Sequence, residues 1–254
     1  MSHHIIEVKE LEYRYADGTE ALRGVSFRIE HGESVGIVGE NGAGKSTLLL
    51  HLNGCLLGTK GTVRIGDVPV LRDTLKQIRR SVGTVFQDPN DQLFMPTVGE
   101  DVAFGPLNMH LPPEDVEKRV HEALDAVNAL HLRSRPPHRL SGGEKRAAAI
   151  ATALSMSPDI LVLDEPSAGL DPQARRRLIH LLGGFKHTKI VASHDLDMIL
   201  ALCPRTIIMH QGSIVADGPT ATLLTDRDLL VKSGLDLPLG IQGCPICGTS
   251  PFKK

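Results

Sequence analysis

The chain has 254 residues, enough for one large domain or for a core with a subdomain, and it can bury a full-sized core. Its formal net charge of -2 argues against a broad nucleic-acid surface, which is normally strongly basic. No apolar run approaches the ~18 residues of a membrane-spanning helix, and no secretory signal is evident at the start. We therefore expect a cytosolic protein, and its four cysteines fit a reducing compartment.

The first part of the chain, to about Phe86, is expected to be rich in strands. Alternating apolar and polar residues indicate half-buried strands, and a continuous apolar run before Gly39 indicates a buried one. We predict strands at 5–11, 25–29, 34–38, 62–65 and 82–85.

The middle of the chain, about 88–155, is expected to be helical. Pro112 and Pro113 followed by acidic residues mark a helix start, and a second helix is predicted to begin after Leu140-Ser-Gly-Gly143. Apolar residues of the first helix recur with helical spacing at Val116, Val120, Ala123, Leu124 and Val127. Strands predicted at 160–163, 189–192 and 206–209 then alternate with helices, which favours a parallel sheet.

A phosphate-binding loop is the strongest motif of the chain. Gly39-Glu-Asn-Gly-Ala-Gly-Lys-Ser-Thr47 fits G-x-x-x-x-G-K-[S/T] between a predicted strand and a predicted helix. Backbone N–H groups and the helix dipole there form an anion site. Lys45 is expected to reach the β- and γ-phosphates and Ser46 to hold Mg²⁺. A glycine-rich turn with a surface lysine is the alternative, and the flanking strand and helix disfavour it. The expected binding residues are Gly39, Asn41, Gly42, Ala43, Gly44, Lys45, Ser46 and Thr47.

Two carboxylates follow the apolar strand 160–163. The carboxyl end of such a strand is where an α/β sheet binds ligands. Asp164 is expected beside the Mg²⁺ held by Ser46, and Glu165 is expected to orient and polarise a water for attack on the γ-phosphate. Two solvated acids at a strand end are the alternative, which the phosphate loop makes less attractive.

Leu140-Ser-Gly-Gly143 supplies a second helix start suited to an anion. The plain alternative is an N-cap for the helix over 147–154, a role that Ser141 can also fill.

The order of phosphate loop, L-S-G-G and apolar-D-E resembles that of the nucleotide-binding subunits of ABC-type ATPases, over about Ile5 to Gly218. This resemblance implies an α/β fold: a P-loop NTPase (RecA-like) core with an antiparallel β subdomain and an inserted helical subdomain. It implies an ATP-binding domain over 1–225, including the helical subdomain at about 88–155, and a tail over 226–254. The implied cofactors are ATP and Mg²⁺.

Further residues take roles from the family pattern. Gln87 resembles the glutamine that contacts Mg²⁺ and the attacking water, and His194 resembles the switch histidine near the γ-phosphate. Ser167–Asp171 resembles the loop at the dimer interface of the family. Tyr15 resembles the aromatic residue that stacks on adenine, while Tyr13 is the alternative and otherwise a packing residue.

The resemblance also implies a working dimer, either a homodimer or a heterodimer of paralogous subunits. Ser141, Gly142 and Gly143 of one subunit would close over ATP held by the other. Glu144 stands where the family more often has glutamine, and its charge is harmless if it points away from the phosphates.

The segment from Gln87 to Pro106 resembles that of ATPases of energy-coupling-factor importers, especially cobalt and nickel uptake subunits. It implies a groove for a helix of a transmembrane coupling protein, with Asp88 and Asp91 as candidates to meet partner arginines. A solvated acidic loop is the alternative for either aspartate. A separate membrane component would choose the substrate: cobalt first, then nickel or a vitamin. The subunit would then lie on the cytoplasmic face of the cell membrane and bind no nucleic acid.

Two rival functions are a soluble ABC ATPase of DNA repair or translation and a nucleotide sensor without turnover. The first usually carries coiled-coil insertions, a second cassette or basic patches, which this sequence lacks. The presence of Glu165 and His194 argues against the second.

Cys244-Pro-Ile-Cys247 lies outside the family pattern. C-x-x-C supplies half of a four-cysteine zinc or cobalt site, which two copies in a dimer would complete. Unliganded tail thiols are the alternative, and redox use is disfavoured because no suitable βαβ context surrounds the pair.

If Cys244 and Cys247 bind a structural or sensing metal ion, Cys244→Ser should lower the metal content of the purified protein, because one thiolate ligand is removed. Elemental analysis of wild type and variant measures this directly. Equal metal content in the two proteins would reject the hypothesis.

Overall fold

The computed structural model describes residues 4–242, with the backbone alone described for His4. Cys244 and Cys247 lie outside these residues. The strands are β1 (His4–Arg14), β2 (Glu20–Glu30), β3 (Ser34–Val38), β4 (Lys60–Ile65), β5 (Val68–Pro69), β6 (Val82–Val85), β7 (Ile160–Asp164), β8 (Thr188–Ala192), β9 (Arg205–His210) and β10 (Ser213–Pro219). The helices are α1 (Lys45–Leu52), α2 (Leu75–Ser81), α3 (Val98–Asn108), α4 (Pro113–Ala126), α5 (Gly142–Leu154), α6 (Pro172–Gly184), α7 (Leu196–Leu202), α8 (Thr220–Leu223) and α9 (Arg227–Lys232).

The chain divides into two compact units: 1–70 with 190–254, and 71–189. The first unit contains an antiparallel sheet in the order β2-β1-β4-β5. In this sheet Ile6 is paired with Ile29 and Ile65, and these side chains are buried, as the predicted alternation requires. The strands at 5–11 and 25–29 are thus confirmed, and both are longer than predicted.

A bulge interrupts β1 within the predicted span. The register shifts between Val8 and Leu11, and Glu10 between them has φ 46°, in the left-handed region. An alternation pattern cannot follow a strand through such a shift, because the inserted residue changes which side chains face the core.

The first unit also holds the pair β3 and β9, which is parallel, as predicted. β10 departs from that prediction because it pairs antiparallel with β9. Only Gln211 and Gly212 connect the two strands, with φ 46° and 81°. Two left-handed residues form the tight turn of a hairpin, whereas parallel neighbours need a long crossover.

In the second unit, α3, α4 and α5 enclose one apolar core. Val116, Val120, Ala123 and Leu124 are buried in it, which confirms the predicted helical face. Val127 lies just beyond the end of α4 and is half-buried. β6 pairs in parallel with β7 in this unit, and β8 crosses the boundary between the units. Over residues 4–242, the helices are too short or too polar to cross a membrane.

Candidate functional site

The turn between β3 and α1 has the shape that the glycine pattern predicts. Gly44 immediately precedes α1 and has φ 100°, a conformation that favours glycine. A Cβ atom at Gly44 would also lie 2.5 Å from the carbonyl oxygen of Ala21. Both constraints require glycine here, and together they set where the helix begins.

The side chains of the phosphate loop differ in their exposure. Lys45 is 7% exposed, and its Nζ donates to the carbonyl oxygens of Gly39 at 2.7 Å and Glu40 at 3.1 Å. Asn41 and Gly42 are exposed, while Ala43 and Thr47 are buried and Ser46 is half-buried. First-turn N–H groups have no partner within a helix, so this helix start can bind an anion.

Tyr15 and Tyr13 differ clearly in their surroundings. Tyr15 is 37% exposed, and its Oη lies 3.0 Å from Oγ1 of Thr47. Tyr13 is half-buried and packs with its ring centroid 4.8 Å from that of His51. Tyr15 therefore offers the more accessible aromatic surface beside α1, and Tyr13 is a packing residue.

The segment at the end of β8 brings His194 to the same unit. The backbone N of Ser193 donates to the carbonyl oxygen of Ile37 at 3.1 Å, so the segment lies against the end of β3. His194 is exposed, and Asp195 caps α7 by accepting from the N–H of Met198 at 3.0 Å. His194 thus lies between a buried strand and a capped helix.

The second unit gathers the other predicted catalytic residues. Asp164 ends the fully buried strand β7 and Glu165 follows it, and their side chains are 8% and 5% exposed. Val85 pairs with Leu163 across the parallel pair β6 and β7, so Gln87 leaves the same edge of this pair. The backbone of Glu165 has φ 45°, in the left-handed region, which turns the chain sharply where the strand ends.

Arg146 is a site residue that sequence reasoning missed. It is 3% exposed, and its guanidinium donates to the carbonyl oxygens of Phe86 at 2.8 Å and Gln87 at 2.7 Å. Burial lowers the pKa of Arg146, opposed by nearby carboxylates. These acids are Asp88, Asp164 and Glu165. Arg146 therefore joins α5 to the segment that carries Gln87. The sequence signal was an arginine directly before the apolar run 147–151.

The helix that follows L-S-G-G begins earlier than predicted. α5 starts at Gly142, so both glycines lie in its first turn and the expected start after them is wrong. The reason is a reciprocal cap: Ser141 Oγ accepts from the N–H of Glu144 at 3.3 Å, and Glu144 accepts from the N–H of Ser141 at 2.7 Å. Ser141 and Gly142 are exposed, and Gly143 is half-buried.

Glu144 is directed at this cap and at an arginine. Its carboxylate also accepts from Arg135 at 3.0 Å. The backbone N–H of Ser141, followed by its hydroxyl and Arg135, holds the pKa of the Glu144 carboxyl below its ordinary value. Within this protomer, the charge of Glu144 is therefore compensated by its neighbours.

A cavity of about 750 Å³ connects the L-S-G-G segment with the predicted interface loop. Ser141–Gly143 and Gly169–Asp171 both line it. Asp171 caps α6 by accepting from the N–H groups of Gln173 at 2.8 Å and Ala174 at 2.9 Å. Two segments distant in sequence thus meet in the second unit.

The residues predicted to hold Mg²⁺ supply suitable oxygen donors. Magnesium prefers oxygen ligands, and Ser46, Asp164 and Gln87 carry a hydroxyl, a carboxylate and an amide oxygen. Within residues 4–242, no group of three or more His, Cys, Asp or Glu side chains is placed so that it could hold a metal ion.

The reciprocal cap at Ser141 predicts how substitutions of Glu144 behave. Glu144→Ala should lower the free energy of unfolding by roughly 0.5–1 kcal/mol, the scale of a lost helix cap, whereas Glu144→Gln keeps the cap. Urea unfolding measures both. Glu114→Ala is the control, because Glu114 is in the first turn of α4 without a side-chain cap there. Equal losses for Glu144→Ala and Glu114→Ala would contradict the capping role.

The same cap makes a pH prediction. Because the folded-state pKa of Glu144 lies below its ordinary value of 4.5, its charge stabilises the fold above that pH. This contribution is lost as pH falls through the lowered pKa. The wild type should therefore lose stability relative to Glu144→Gln on acidification, and the same unfolding measurements at several pH values check it.

Comparison with known proteins identifies the family of the chain. Residues 22–168 match the family model described as ABC transporter. A putative ABC transporter ATP-binding protein of Geobacter sulfurreducens is 65% identical, covering 98% of this chain and 100% of that protein. The energy-coupling factor transporter ATP-binding protein EcfA of Methanocaldococcus jannaschii is 47% identical over 92% of this chain and 86% of that protein.

Two solved structures extend the comparison to the fold. CbiO1 of Clostridium perfringens, described as part of the ABC transporter complex cbiONQ, has a TM-score of 0.79 at 39% identity, covering 91% of this chain and 94% of that one. A dimeric ATP-binding cassette in a post-hydrolysis state with ADP and Pi has a TM-score of 0.78 at 29% identity, covering 85% and 98%. The predicted α/β P-loop NTPase fold is confirmed. The chain belongs to the ABC transporter family, as one of its ATP-hydrolysing subunits.

Proposed function

We propose that this ATPase subunit energises the uptake of cobalt ions by an energy-coupling-factor importer. The observation that carries the transport role is an exposed apolar cluster in the segment after Gln87. Phe94, Phe104 and Leu107 are 62%, 41% and 57% exposed, and the rings of Phe94 and Phe104 meet edge to face at 5.0 Å. Such a cluster suits a partner helix better than it suits water.

The backbone beneath this cluster is well held. Asp101 is 3% exposed, and one of its oxygens accepts from the N–H groups of Phe94 and Met95, both at 3.0 Å. Thr97 and Glu100 cap the start of α3 reciprocally. The phenyl ring of Phe94 is therefore presented from a fixed turn, as a surface that transmits force requires.

The two candidate aspartates next to this surface differ. Asp88 accepts from the backbone and side-chain nitrogens of Asn90 at 2.8 and 2.7 Å, so it already has a local role. Asp91 is exposed, and its carboxylate makes no hydrogen bond or ion pair with the described residues. We assign Asp91 as the more available acid for a partner arginine.

Nucleotide binding is assigned to the phosphate loop and Tyr15. Gly39 and the residues 41–47 would hold the phosphates through backbone N–H groups and Lys45, while the exposed ring of Tyr15 would stack on adenine. Mg²⁺ would be held by Ser46, Asp164 and Gln87, and it would neutralise phosphate charge when bound.

Hydrolysis is assigned to Glu165, His194 and Gln87. The buried carboxylate of Glu165 would orient a water and accept its proton, in line with the γ-phosphate. The amide of Gln87 would contact that water, and the imidazole of His194 would contact the γ-phosphate. Arg146 holds the backbone of Gln87 in place, so it acts as a positioning residue.

Completion of the site is assigned to a second copy or a paralogous subunit. Ser141, Gly142 and Gly143 would close over ATP held by the partner, since their helix start is exposed and suited to an anion. The dimeric state of a structural neighbour supports this arrangement. We further propose that 1–225 forms the ATPase domain, with the helical part at 88–155, and that 226–254 is a tail.

The proposed location is the cytoplasmic face of the cell membrane, where the subunit binds a transmembrane coupling protein and, with it, a substrate-specific component. Cobalt rests on the resemblance of the Gln87–Pro106 segment and on the likeness to CbiO1. Nickel or a vitamin is the alternative cargo. A soluble, non-transport ABC ATPase is the rival, and co-purification with membrane proteins separates the two.

Glu165→Gln should abolish turnover while it preserves ATP binding, because the amide keeps the shape of the carboxylate but cannot accept a proton. We expect ATP hydrolysis to fall by roughly 10²- to 10⁴-fold, the contribution of a general base. Phosphate release and ATP titration measure the two quantities. Glu114→Gln, on an exposed part of α4, should leave both unchanged. Undiminished hydrolysis by Glu165→Gln would sink the mechanism.

Phe104→Ser should remove the coupling surface, because it deletes one ring of the exposed pair. We expect the variant to lose co-purification with a co-expressed transmembrane coupling protein while its thermal unfolding midpoint stays near that of wild type. Val231→Ser is the matched control, since Val231 is 61% exposed on α9. Capture of the partner equal to that by wild type would contradict the docking role.

A further inference from the structure

Four residues beside the phosphate loop form a closed circuit of contacts, which we call the Tyr15 circuit. Tyr15 Oη lies 3.0 Å from Thr47 Oγ1, and the Tyr15 ring meets that of Tyr13 at 4.9 Å with an interplanar angle of 86°. Tyr13 meets His51 at 4.8 Å and 74°. His51 Nδ1 lies 2.7 Å from the carbonyl oxygen of Thr47, which closes the circuit. Each ring is thus held by contacts on two sides.

The protonation of His51 follows from its partner. A carbonyl oxygen only accepts hydrogen bonds, so Nδ1 carries the proton and donates to Thr47. His51 is 1% exposed, and burial lowers its pKa, which keeps the ring neutral. Nε2 is then the bare nitrogen, and no described residue forms a hydrogen bond to it. The ring is therefore oriented by one hydrogen bond and one aromatic contact.

The circuit joins the two ends of a nucleotide site. Thr47 belongs to the phosphate loop and lies in the first turn of α1, which carries His51 one turn later, whereas Tyr15 lies just past β1. Tyr15 is the exposed member, and the other three are half-buried or buried. Without Tyr13 and His51, one hydroxyl–hydroxyl bond alone would hold an exposed ring that can rotate about two torsions.

We propose that His51 and Tyr13 are positioning residues that fix the Tyr15 ring, and hence the base of the nucleotide, relative to the phosphate loop. This inference rests on the proposed stacking of adenine on Tyr15. On this inference, the affinity that the protein gains from the base depends on Tyr13 and His51 as well as on the exposed ring of Tyr15. ATP hydrolysis takes place at the phosphate end of the site and does not depend on this positioning.

Two substitutions of His51 separate the effect of its hydrogen bond from the effect of its aromatic contact. His51→Phe keeps an aromatic ring against Tyr13 but removes the hydrogen bond to Thr47. His51→Asn keeps a donor near the position of Nδ1 but removes the ring. His31→Phe is the control, because His31 is an exposed histidine in the same unit.

Base-dependent affinity is measured as the ratio of the affinity for ATP to that for inorganic tripolyphosphate, which has no base. His51→Phe and His51→Asn should each lower this ratio about tenfold, or ~1.4 kcal/mol, within the range of base–aromatic stacking. KM for ATP should rise with kcat nearly constant, the sign of lost uniform binding. A ratio equal to that of wild type and of His31→Phe, even with a lower unfolding midpoint, would overturn the proposal.

Tyrosine emission supplies a direct spectroscopic signature. The chain has no tryptophan and two tyrosines, so its emission comes only from Tyr13 and Tyr15. In a Tyr13→Phe background, which keeps the aromatic ring, the emission reports on Tyr15 alone, and bound ATP should quench it. Adding His51→Phe should reduce that quenching at saturating ATP. Undiminished quenching would count against positioning by His51.

The wild type separates failure of this inference from failure of the proposed function. If wild-type protein prefers ATP over tripolyphosphate and the His51 variants share that preference, the positioning role alone is rejected. If wild type itself shows no such preference and no quenching, stacking on Tyr15 is rejected, and the inference is rejected with it.

Discussion

The left-handed turn at Gly44 is the constraint on which the first unit depends. It places the start of α1 directly after β3, and the nearby carbonyl oxygen of Ala21 excludes any side chain at this position. Once the helix start is set, Lys45 reaches back over the loop, and Thr47 and His51 face the tyrosines of the preceding strand region. One backbone conformation thus places both the proposed phosphate end and the proposed base end of the nucleotide site.

The second unit holds charged side chains in a buried environment. Asp164 and Glu165 are nearly inaccessible, and Arg146 is buried close to them. Its two terminal nitrogens donate to the carbonyl oxygens of Phe86 and Gln87, which fixes the backbone of that segment, while Nε has no hydrogen-bond partner among the described residues. Buried charges are tolerated here because they compensate one another, and the same contacts keep the glutamine segment next to the helix that follows L-S-G-G.

Most elements were predictable because local patterns agreed with the fold. The strand at 82–85 has the predicted bounds, and the buried face of α4 follows the predicted spacing at Val116, Val120 and Leu124. The errors have local physical causes. The bulge at Glu10 shifted the alternation along β1, so its continuation to Arg14 was not predicted. A two-residue turn made β10 antiparallel, and the reciprocal cap between Ser141 and Glu144 drew two glycines into α5. Each depends on backbone hydrogen bonds that a hydrophobicity pattern does not report.

The sequence by itself indicated the phosphate loop, the two acids at the end of β7 and the family to which the chain belongs. These features are encoded by residue types at fixed spacing. The flexibility of glycine and the charges of lysine and of a carboxylate are properties of the residues themselves and do not depend on their neighbours. The tertiary structure decided which tyrosine is accessible, what Glu144 contacts and where Arg146 and His51 make their hydrogen bonds. Those answers depend on contacts between residues distant in sequence, where burial and hydrogen-bond partners exist only after the chain has folded.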